Sequence, residues 1–329
     1  MTRGNQTFFA LALLLAVFTV LLPSGSMAAD GVFPKTLLDD LRSGDQSVRL
    51  AAIQAIKPYR ELTSLPILLK MAENDPVPKI RRHAIGAIWS RGDRKALPVL
   101  ERILVIDPNT GVKIAAAGAI GDLGQQSSVS FLIGAAVSTE NISLLARCIR
   151  SIGRIGDPSS AAFIMRYLER PHNSLTRGTA AQALGNLGSV GALHPLMKVL
   201  ESDEDPVVRS LAATSLGQLG EPAARENLIN GLLFDSSDLV RFRCGEALSK
   251  LGINRDAKQA FLNSLGDPDK RVRYISLNAI SSNAVDSDIS AIADLLDDDS
   301  TVVRELAHQI LGKRGIVLEK IGDRYRMLK

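Results

Sequence analysis

A basic residue recurs along the chain at a nearly constant spacing, and this period restricts the fold more than any other feature of the sequence. It stands in segments such as Val208-Arg209 and Val240-Arg241. The spacing is 32 residues for seven steps and 31 for the last, through Arg49, Arg81, Lys113, Leu145, Arg177, Arg209, Arg241, Arg273 and Arg304. A unit this short cannot bury its apolar face alone, so the period predicts a stacked array of about nine structural repeats.

The residues around this marker repeat as well. Small residues follow three positions later, at Ala52, Ala84, Ala116, Cys148, Ala180, Ala212, Cys244, Ser276 and Ala307. Ile or Leu follows seven positions later, at Ile56, Ile88, Ile120, Ile152, Leu184, Leu216, Leu248, Ile280 and Leu311. These positions lie on one stripe of a helix, which we name helix B of each repeat. Apolar segments between successive B helices, such as Ala192–Leu200, predict a first helix, helix A.

Helix ends are also marked. Asp75-Pro76, Asp107-Pro108 and Asp267-Pro268 predict an N-cap acid before a proline at the first helical position. Glycines eleven residues after the marker predict left-handed C-terminal caps at Gly124, Gly156, Gly188, Gly220 and Gly252. Together these features predict an all-α fold, a right-handed α-solenoid of about nine two-helix repeats spanning residues 29–312. Residues 313–329 are predicted to form either a hairpin or another terminal cap.

The pattern resembles the HEAT repeat, in the short bacterial variety of the phycobilin lyases, most clearly at Asp203–Gly220 and Asp235–Gly252. The resemblance implies that an Asp six residues before the marker joins it in a hydrogen-bonded ladder between repeats. The implied members are Asp75, Arg81, Asp107, Lys113, Asp203, Arg209, Asp235, Arg241, Asp267, Arg273, Asp298 and Arg304.

Three repeats depart from this ladder pattern. Repeat four has Thr139 and Leu145, which suggests that acid and base are lost together as one structural pair. Ser43 and Pro171 stand in the acid position of repeats one and five, so the rungs of these repeats are in question. Because each repeat contacts only its neighbours, a bend of the solenoid at repeats four and five is an open alternative.

The first 28 residues have the features of a signal peptide. Arg3 precedes an apolar run, Phe8–Leu22, and small residues Ser26 and Ala28 occupy the positions that a signal peptidase reads. We predict cleavage after Ala28 and a periplasmic or secreted protein with no later membrane span. The alternative is an uncleaved membrane anchor, although the run is short for a bilayer.

The sequence offers no candidate catalytic residue, metal site or cofactor site. Cys148 and Cys244 lie three repeats apart, too far for a disulfide, and are predicted to be core residues. No histidine has a His or Cys at metal-ligand spacing on one helix. The His-Glu pairs of the deoxyhypusine hydroxylases, which are metal-dependent HEAT-repeat enzymes, are absent. Most arginines belong to the repeat marker and the net charge is only +4, so nucleic acid is a poor partner.

The remaining candidates lie on the outer face of helix B. Positions one and five residues after the marker point away from the core, and in this fold they line the concave side. Phe242 and Tyr274 occupy this position in adjacent repeats, with Arg243 beside the first. They predict a protein-binding hot spot; the alternative is packing over their own inter-helix crevice. Arg82 and Trp89 in repeat two are further candidates.

The sequence therefore predicts an exported, non-catalytic scaffold that binds a partner protein along its concave helix-B face. One alternative is a lyase-like chaperone for a prosthetic group or its carrier protein. The other is a HEAT-type metal-dependent oxidoreductase, which the missing His-Glu pairs disfavour.

Overall fold

A computed structural model describes residues 35–57, 64–282, 284–321 and 324–328. Within these ranges the chain forms eighteen α-helices that alternate between helix A and helix B, followed by two short strands. The predicted signal peptide and its cleavage point lie outside the described residues.

The odd-numbered helices are the A helices of the nine repeats. They are α1 (Lys35–Leu41), α3 (Ser64–Asn74), α5 (Leu97–Ile106), α7 (Val129–Val137), α9 (Ala161–Met165), α11 (Leu193–Ser202), α13 (Arg225–Phe234), α15 (Arg255–Asn263) and α17 (Ile289–Ala293). The even-numbered helices are the B helices. They are α2 (Gln46–Ile56), α4 (Pro78–Arg91), α6 (Thr110–Leu123), α8 (Ile142–Ile155), α10 (Ser174–Leu187), α12 (Pro206–Leu219), α14 (Asp238–Lys250), α16 (Lys270–Ile280) and α18 (Thr301–Lys313).

The repeats stack in chain order to give the predicted all-α solenoid. Each B helix packs against the A helix of its own repeat and against the next B helix. The predicted apolar stripe is confirmed, because every Ile or Leu seven residues after the marker is at most 3% exposed. One continuous core runs from Leu37 to Leu311 between the two layers of helices.

The C-terminal segment forms a hairpin, which decides between the two alternatives predicted for it. Strands β1 (Leu318–Ile321) and β2 (Arg324–Met327) pair antiparallel, with Leu318 opposite Met327.

The predicted N-caps at Asp75, Asp107 and Asp267 are wrong by two residues. The helices begin after Val77, Asn109 and Asp269 instead. Each of the three aspartates accepts a hydrogen bond from the backbone N–H two residues later, over 2.8 to 2.9 Å. This Asx-turn places the following proline in the connection between helices A and B.

The predicted glycine caps hold for four of the five positions. Gly156, Gly188, Gly220 and Gly252 have φ between 63° and 81°. Gly124 has φ −61° and ψ 160°, so the prediction of a left-handed cap there is wrong. A Cβ on Gly124 would lie 2.9 Å from the Ile155 side chain, so close packing rather than backbone twist favours glycine there.

A second set of glycines brings the central B helices into close contact. They lie eight residues after the marker, at Gly121, Gly153, Gly185 and Gly217. Each faces Ser or Ala of the next B helix, and a Cβ on Gly153 would lie 2.7 Å from the Ala183 Cβ. Ser151 and Ser215 also donate from Oγ to the carbonyl oxygens of Ala117 and Ala181, over 2.7 and 2.9 Å. The B helices of repeats three to seven are therefore packed almost backbone to backbone.

Candidate functional site

The ladder arginines bind the aspartate of the following repeat. Arg81 donates from Nε and Nη2 to the two carboxylate oxygens of Asp107, over 2.7 and 2.8 Å. Its Nη1 donates to the carbonyl oxygen of Asp75, over 2.8 Å. The acid in the same repeat therefore contributes its backbone, and the acid 26 residues later contributes its side chain.

Six rungs of this kind occur among the described residues. They are Arg49–Asp75, Arg81–Asp107, Arg177–Asp203, Arg209–Asp235, Arg241–Asp267 and Arg273–Asp298. In the last repeat, Arg304 donates to the Asp298 carbonyl oxygen and to Thr301 Oγ1 instead.

The structure corrects the interpretation of the irregular repeats. Ser43 does not break the rung of repeat one, because Arg49 needs only its carbonyl oxygen, at 2.8 Å. Pro171 likewise leaves the rung of Arg177 in place, since Nη1 donates to the His172 carbonyl oxygen over 2.7 Å.

Thr139 and Leu145 are not partners in one lost pair. The side chain that would follow from the ladder geometry for the repeat-three marker Lys113 is Thr139, and for Leu145 it is Pro171. The prediction that Lys113 is a ladder member is therefore wrong: its Nζ donates to the Val105 carbonyl oxygen, over 2.8 Å. Two consecutive rungs, between repeats three and four and between four and five, are missing from the described ladder.

Arg82 and Trp89 lie together at a cleft on the helix-B face of repeats two to four. The cleft has a volume of about 480 Å³, and Trp89 is 50% exposed. Helix α4 contributes Arg82 and Trp89, helix α6 contributes a floor of small residues, and helix α8 contributes Arg147. We refer to this as the B-face cleft.

The floor of the B-face cleft gives two guanidinium groups room to converge. Arg82 from α4 lies over Gly111, with its Cδ 3.6 Å from the place where a Cβ would stand. Arg147 from α8 lies over Gly118 of the same helix α6, again with its Cδ at 3.6 Å. Side chains from both neighbouring repeats therefore reach across repeat three from opposite sides.

Helix α8 carries a row of three arginines on this face, at Arg147, Arg150 and Arg154, spaced by three and four residues. Burial, and then the charges of Arg147 and Arg154, lower the pKa of Arg150. Arg154 forms an ion pair with Asp122, which also lines the cleft. For Arg82, Arg147 and Arg150, the described part of the chain provides no acidic partner.

Phe242, Arg243 and Tyr274 lie on the same face, five and six repeats farther along the chain than Arg82. Phe242 is partly buried against the core, with the guanidinium carbons of Arg243 and Arg271 at 5.4 and 5.7 Å from its ring centre. Arg243 forms an ion pair with Glu246, over 2.6 Å. Tyr274 is 38% exposed. The structure therefore brings Arg82 and Trp89 together, and it places the other three candidates in a separate region.

The sequence analysis did not identify Arg147 and Arg150 as candidates. The signal was available, because the position five residues after the marker was predicted to face outward and holds Arg150 in repeat four. The helical spacing of the three arginines on one face is the second part of that signal.

Cys148 and Cys244 are free thiols buried in the core, as predicted. Burial raises the pKa of Cys148 to about 12. Among the described residues, no group of three His, Cys, Asp or Glu side chains is arranged to hold a metal ion. None of the described helices combines the length and the apolar character needed to cross a bilayer.

A repeating two-helix stack tied by arginine–aspartate rungs defines an α-solenoid protein. The family model described as HEAT repeats matches in seven overlapping segments, residues 34–110, 65–141, 102–185, 129–217, 173–249, 193–281 and 226–312. The chain belongs to the HEAT-repeat family. No curated protein sequence matches the chain significantly.

Several solved structures are similar to this chain. Kap95p, in its complex with RanGDP, aligns with a TM-score of 0.58 at 14% identity, over 84% of this chain and 44% of Kap95p. The complex of CpcE and CpcF of phycocyanin lyase from Nostoc sp. aligns with a TM-score of 0.44 at 24% identity, over 72% of this chain and 95% of that chain. Human deoxyhypusine hydroxylase in complex with glycerol aligns with a TM-score of 0.35 at 19% identity, over 74% and 93%. Similarity at these identities shows a shared fold.

Proposed function

We propose that this protein is an exported HEAT-repeat scaffold that binds a partner protein along its concave helix-B face, without catalysing a reaction. The observation that carries this proposal is the B-face cleft, where an exposed indole and two guanidinium groups without acidic partners meet. Elsewhere, six arginines are held in the ladder. A side chain that the fold does not use, placed on an extended surface, is available to a partner.

Phe242, Tyr274 and Arg243 form a second region of the proposed binding face. The ring of Phe242 lies between two guanidinium groups, and Tyr274 presents part of its ring to solvent. Aromatic and arginine side chains are the types that contribute most at protein interfaces. A partner long enough to reach both regions would gain affinity from two separate contacts on one chain.

The proposed binding face is tested by site-specific photo-crosslinking in the exporting cell. A photoreactive residue at Ile114 or Tyr274 reports on the helix-B face, and one at the exposed A-helix positions His194 or Gln259 is the matched control. We expect the same protein to be crosslinked from both B-face positions and from neither control position. Equal crosslinking from the two faces, or none from either, contradicts the proposal.

Export is tested separately on residues 1–28. We expect the mature protein to begin at Ala29 and to fractionate with periplasmic or secreted proteins, because the apolar run and the small residues after it have the features of a cleaved signal. A protein that keeps its first 28 residues in the membrane fraction supports the anchor alternative. A protein that stays in the cytoplasm contradicts export.

A further inference from the structure

We infer that the B-face cleft binds an acidic segment of the partner protein, whose carboxylates bind Arg82, Arg147 and Arg150. This inference rests on the proposed function and specifies the chemistry of the partner.

The first argument is the geometry of the two guanidinium groups over α6. Arg82 and Arg147 come from the repeats on either side, and each lies over a glycine of the intervening helix. Their planar forks match a carboxylate, which accepts two parallel hydrogen bonds from one guanidinium. Both side chains line a cleft of about 480 Å³, which is room for several side chains of an extended peptide.

The second argument is charge. The only acid that lines the B-face cleft among the described residues is Asp122, and Arg154 already pairs with it. Arg82, Arg147 and Arg150 therefore leave the region positive. The lowered pKa of Arg150 reflects the repulsion within the row, and an anionic ligand would relieve that repulsion. A basic segment would add to it.

The third argument is the apolar surface beside the arginines. The indole of Trp89 and the side chain of Ile114 line the same cleft, and Trp89 is half exposed. A bare inorganic anion would use the guanidinium groups and leave this apolar surface uncovered. A peptide with acidic and apolar side chains would use both, which favours a protein segment as the occupant.

The inference can be tested without knowing the partner, because Trp89 is the only tryptophan of the chain. Its fluorescence in the purified protein reports directly on the B-face cleft. We expect anionic iodide to quench this fluorescence about twofold more strongly than cationic caesium at low ionic strength. In the double variant R82Q/R147Q the difference should vanish. The control variant R255Q removes an exposed arginine in the layer of A helices and should keep it.

The ligand itself is tested with synthetic peptides, followed by Trp89 fluorescence. A twelve-residue peptide of Glu with two Phe should bind, and R82Q/R147Q should weaken its binding by about tenfold or more, because two charge-assisted contacts are lost. A matched peptide of Lys and Phe should not bind. The inference is overturned if the Lys peptide binds equally well, if inorganic phosphate binds as tightly as the Glu peptide, or if a single-stranded oligonucleotide binds more tightly.

These results separate the inference from the proposed function. If the Glu peptide fails to bind while B-face crosslinking identifies a partner, the acidic chemistry is wrong and the scaffold function stands. If the Glu peptide binds while no partner is crosslinked from the B face, the proposed function fails although the cleft has the inferred chemistry. Circular dichroism of each variant checks that the helices are intact.

Discussion

The ladder arginine is the residue whose structural role is most clearly defined. The Arg81 side chain is 8% exposed and its partner Asp107 side chain is 4% exposed, and the guanidinium joins two repeats through three hydrogen bonds. In contrast, the ion pair between Arg102 and Glu73 lies at the surface, with the Arg102 side chain 51% exposed. The two pairs therefore allow a direct comparison of buried and exposed arginines.

We expect Arg81→Met to destabilise the protein by about 3–5 kcal/mol, because it leaves the Asp107 carboxylate buried without its counter-ion. Arg102→Met should cost about 0–1 kcal/mol, as surface ion pairs do. Urea unfolding followed by circular dichroism measures both. Equal losses would show that the rungs do not stabilise the stack.

The same rungs predict a loss of stability in acid. Burial tends to raise the pKa of Asp203, but hydrogen bonds from Arg177 and from the Asp205 N–H, with the charges of Arg177 and Arg209, hold it below the usual value. The pKa of Asp298 is lowered in the same way, against its burial, by hydrogen bonds from Arg273 and the Ser300 N–H.

A carboxyl whose pKa is lower in the folded chain stabilises the fold above its unfolded pKa of about 3.9. This stabilisation is lost as pH falls from about 4 through the lower folded values. We expect the thermal midpoint to drop between pH 5 and pH 2, and to drop less in Asp203→Asn, which lacks the titrating group. Identical pH profiles for the two proteins would exclude Asp203 as a contributor.

At the scale of the helix, the close approach of neighbouring B helices predicts different responses at equivalent glycines. A Cβ on Gly153 would lie 2.7 Å from the Ala183 Cβ, and a Cβ on Gly217 would lie 2.7 Å from the Ala247 Cβ. The contacts are alike, but only the interface of Gly217 is also spanned by a rung, Arg209–Asp235. The interface of Gly153, between repeats four and five, has no described rung.

We expect Gly153→Ala and Gly217→Ala each to cost about 1–3 kcal/mol, the usual range for overpacking. Only Gly153→Ala should also lose hydrogen-exchange protection locally, in α8 and α10, because no ladder rung holds that interface together. Equal protection in α8 and α10 of both variants would mean that the rungs do not compensate for loosened helix packing.

The sequence was sufficient to predict the repeat, helix B and its buried stripe, because these depend on spacing within one helix. It was not sufficient to predict the rung. The aspartates six residues before and 26 residues after the arginine recur with the same period, so spacing alone does not tell which of them binds it. The distinguishing signal was the joint loss at Lys113 with Thr139 and at Leu145 with Pro171.

The binding face shows the same limit. Arg82 and Trp89 were identified from their outward positions on one helix. Their convergence with Arg147 was not, because it depends on how closely three successive repeats pack. That packing is set by glycines on the intervening helix, which spacing alone assigns only to helix ends or close contacts.

At the scale of the whole molecule, the ladder forms two runs, one through repeats one to three and one through repeats five to nine. Beside the first missing rung lies an open cleft of about 530 Å³, lined by Lys113, Thr139 and the half-exposed Phe131. Thr139 keeps part of the role of the ladder aspartate, since its Oγ1 accepts the Asn141 N–H over 3.1 Å. The turn is therefore formed, and the carboxylate and the guanidinium are what the rung lacks.

The missing rung can be restored by Lys113→Arg with Thr139→Asp. These positions are 26 residues apart, the separation found in five of the six rungs. We expect each single change to alter stability by less than about 1 kcal/mol, because neither creates a pair. The double variant should be more stable than the sum of the single variants by about 1–3 kcal/mol, the range found for coupled residues. Urea unfolding of all four proteins measures this coupling. A coupling near zero would show that repeats three and four are oriented differently from the repeats that carry a rung, and that the irregularity extends beyond the two side chains.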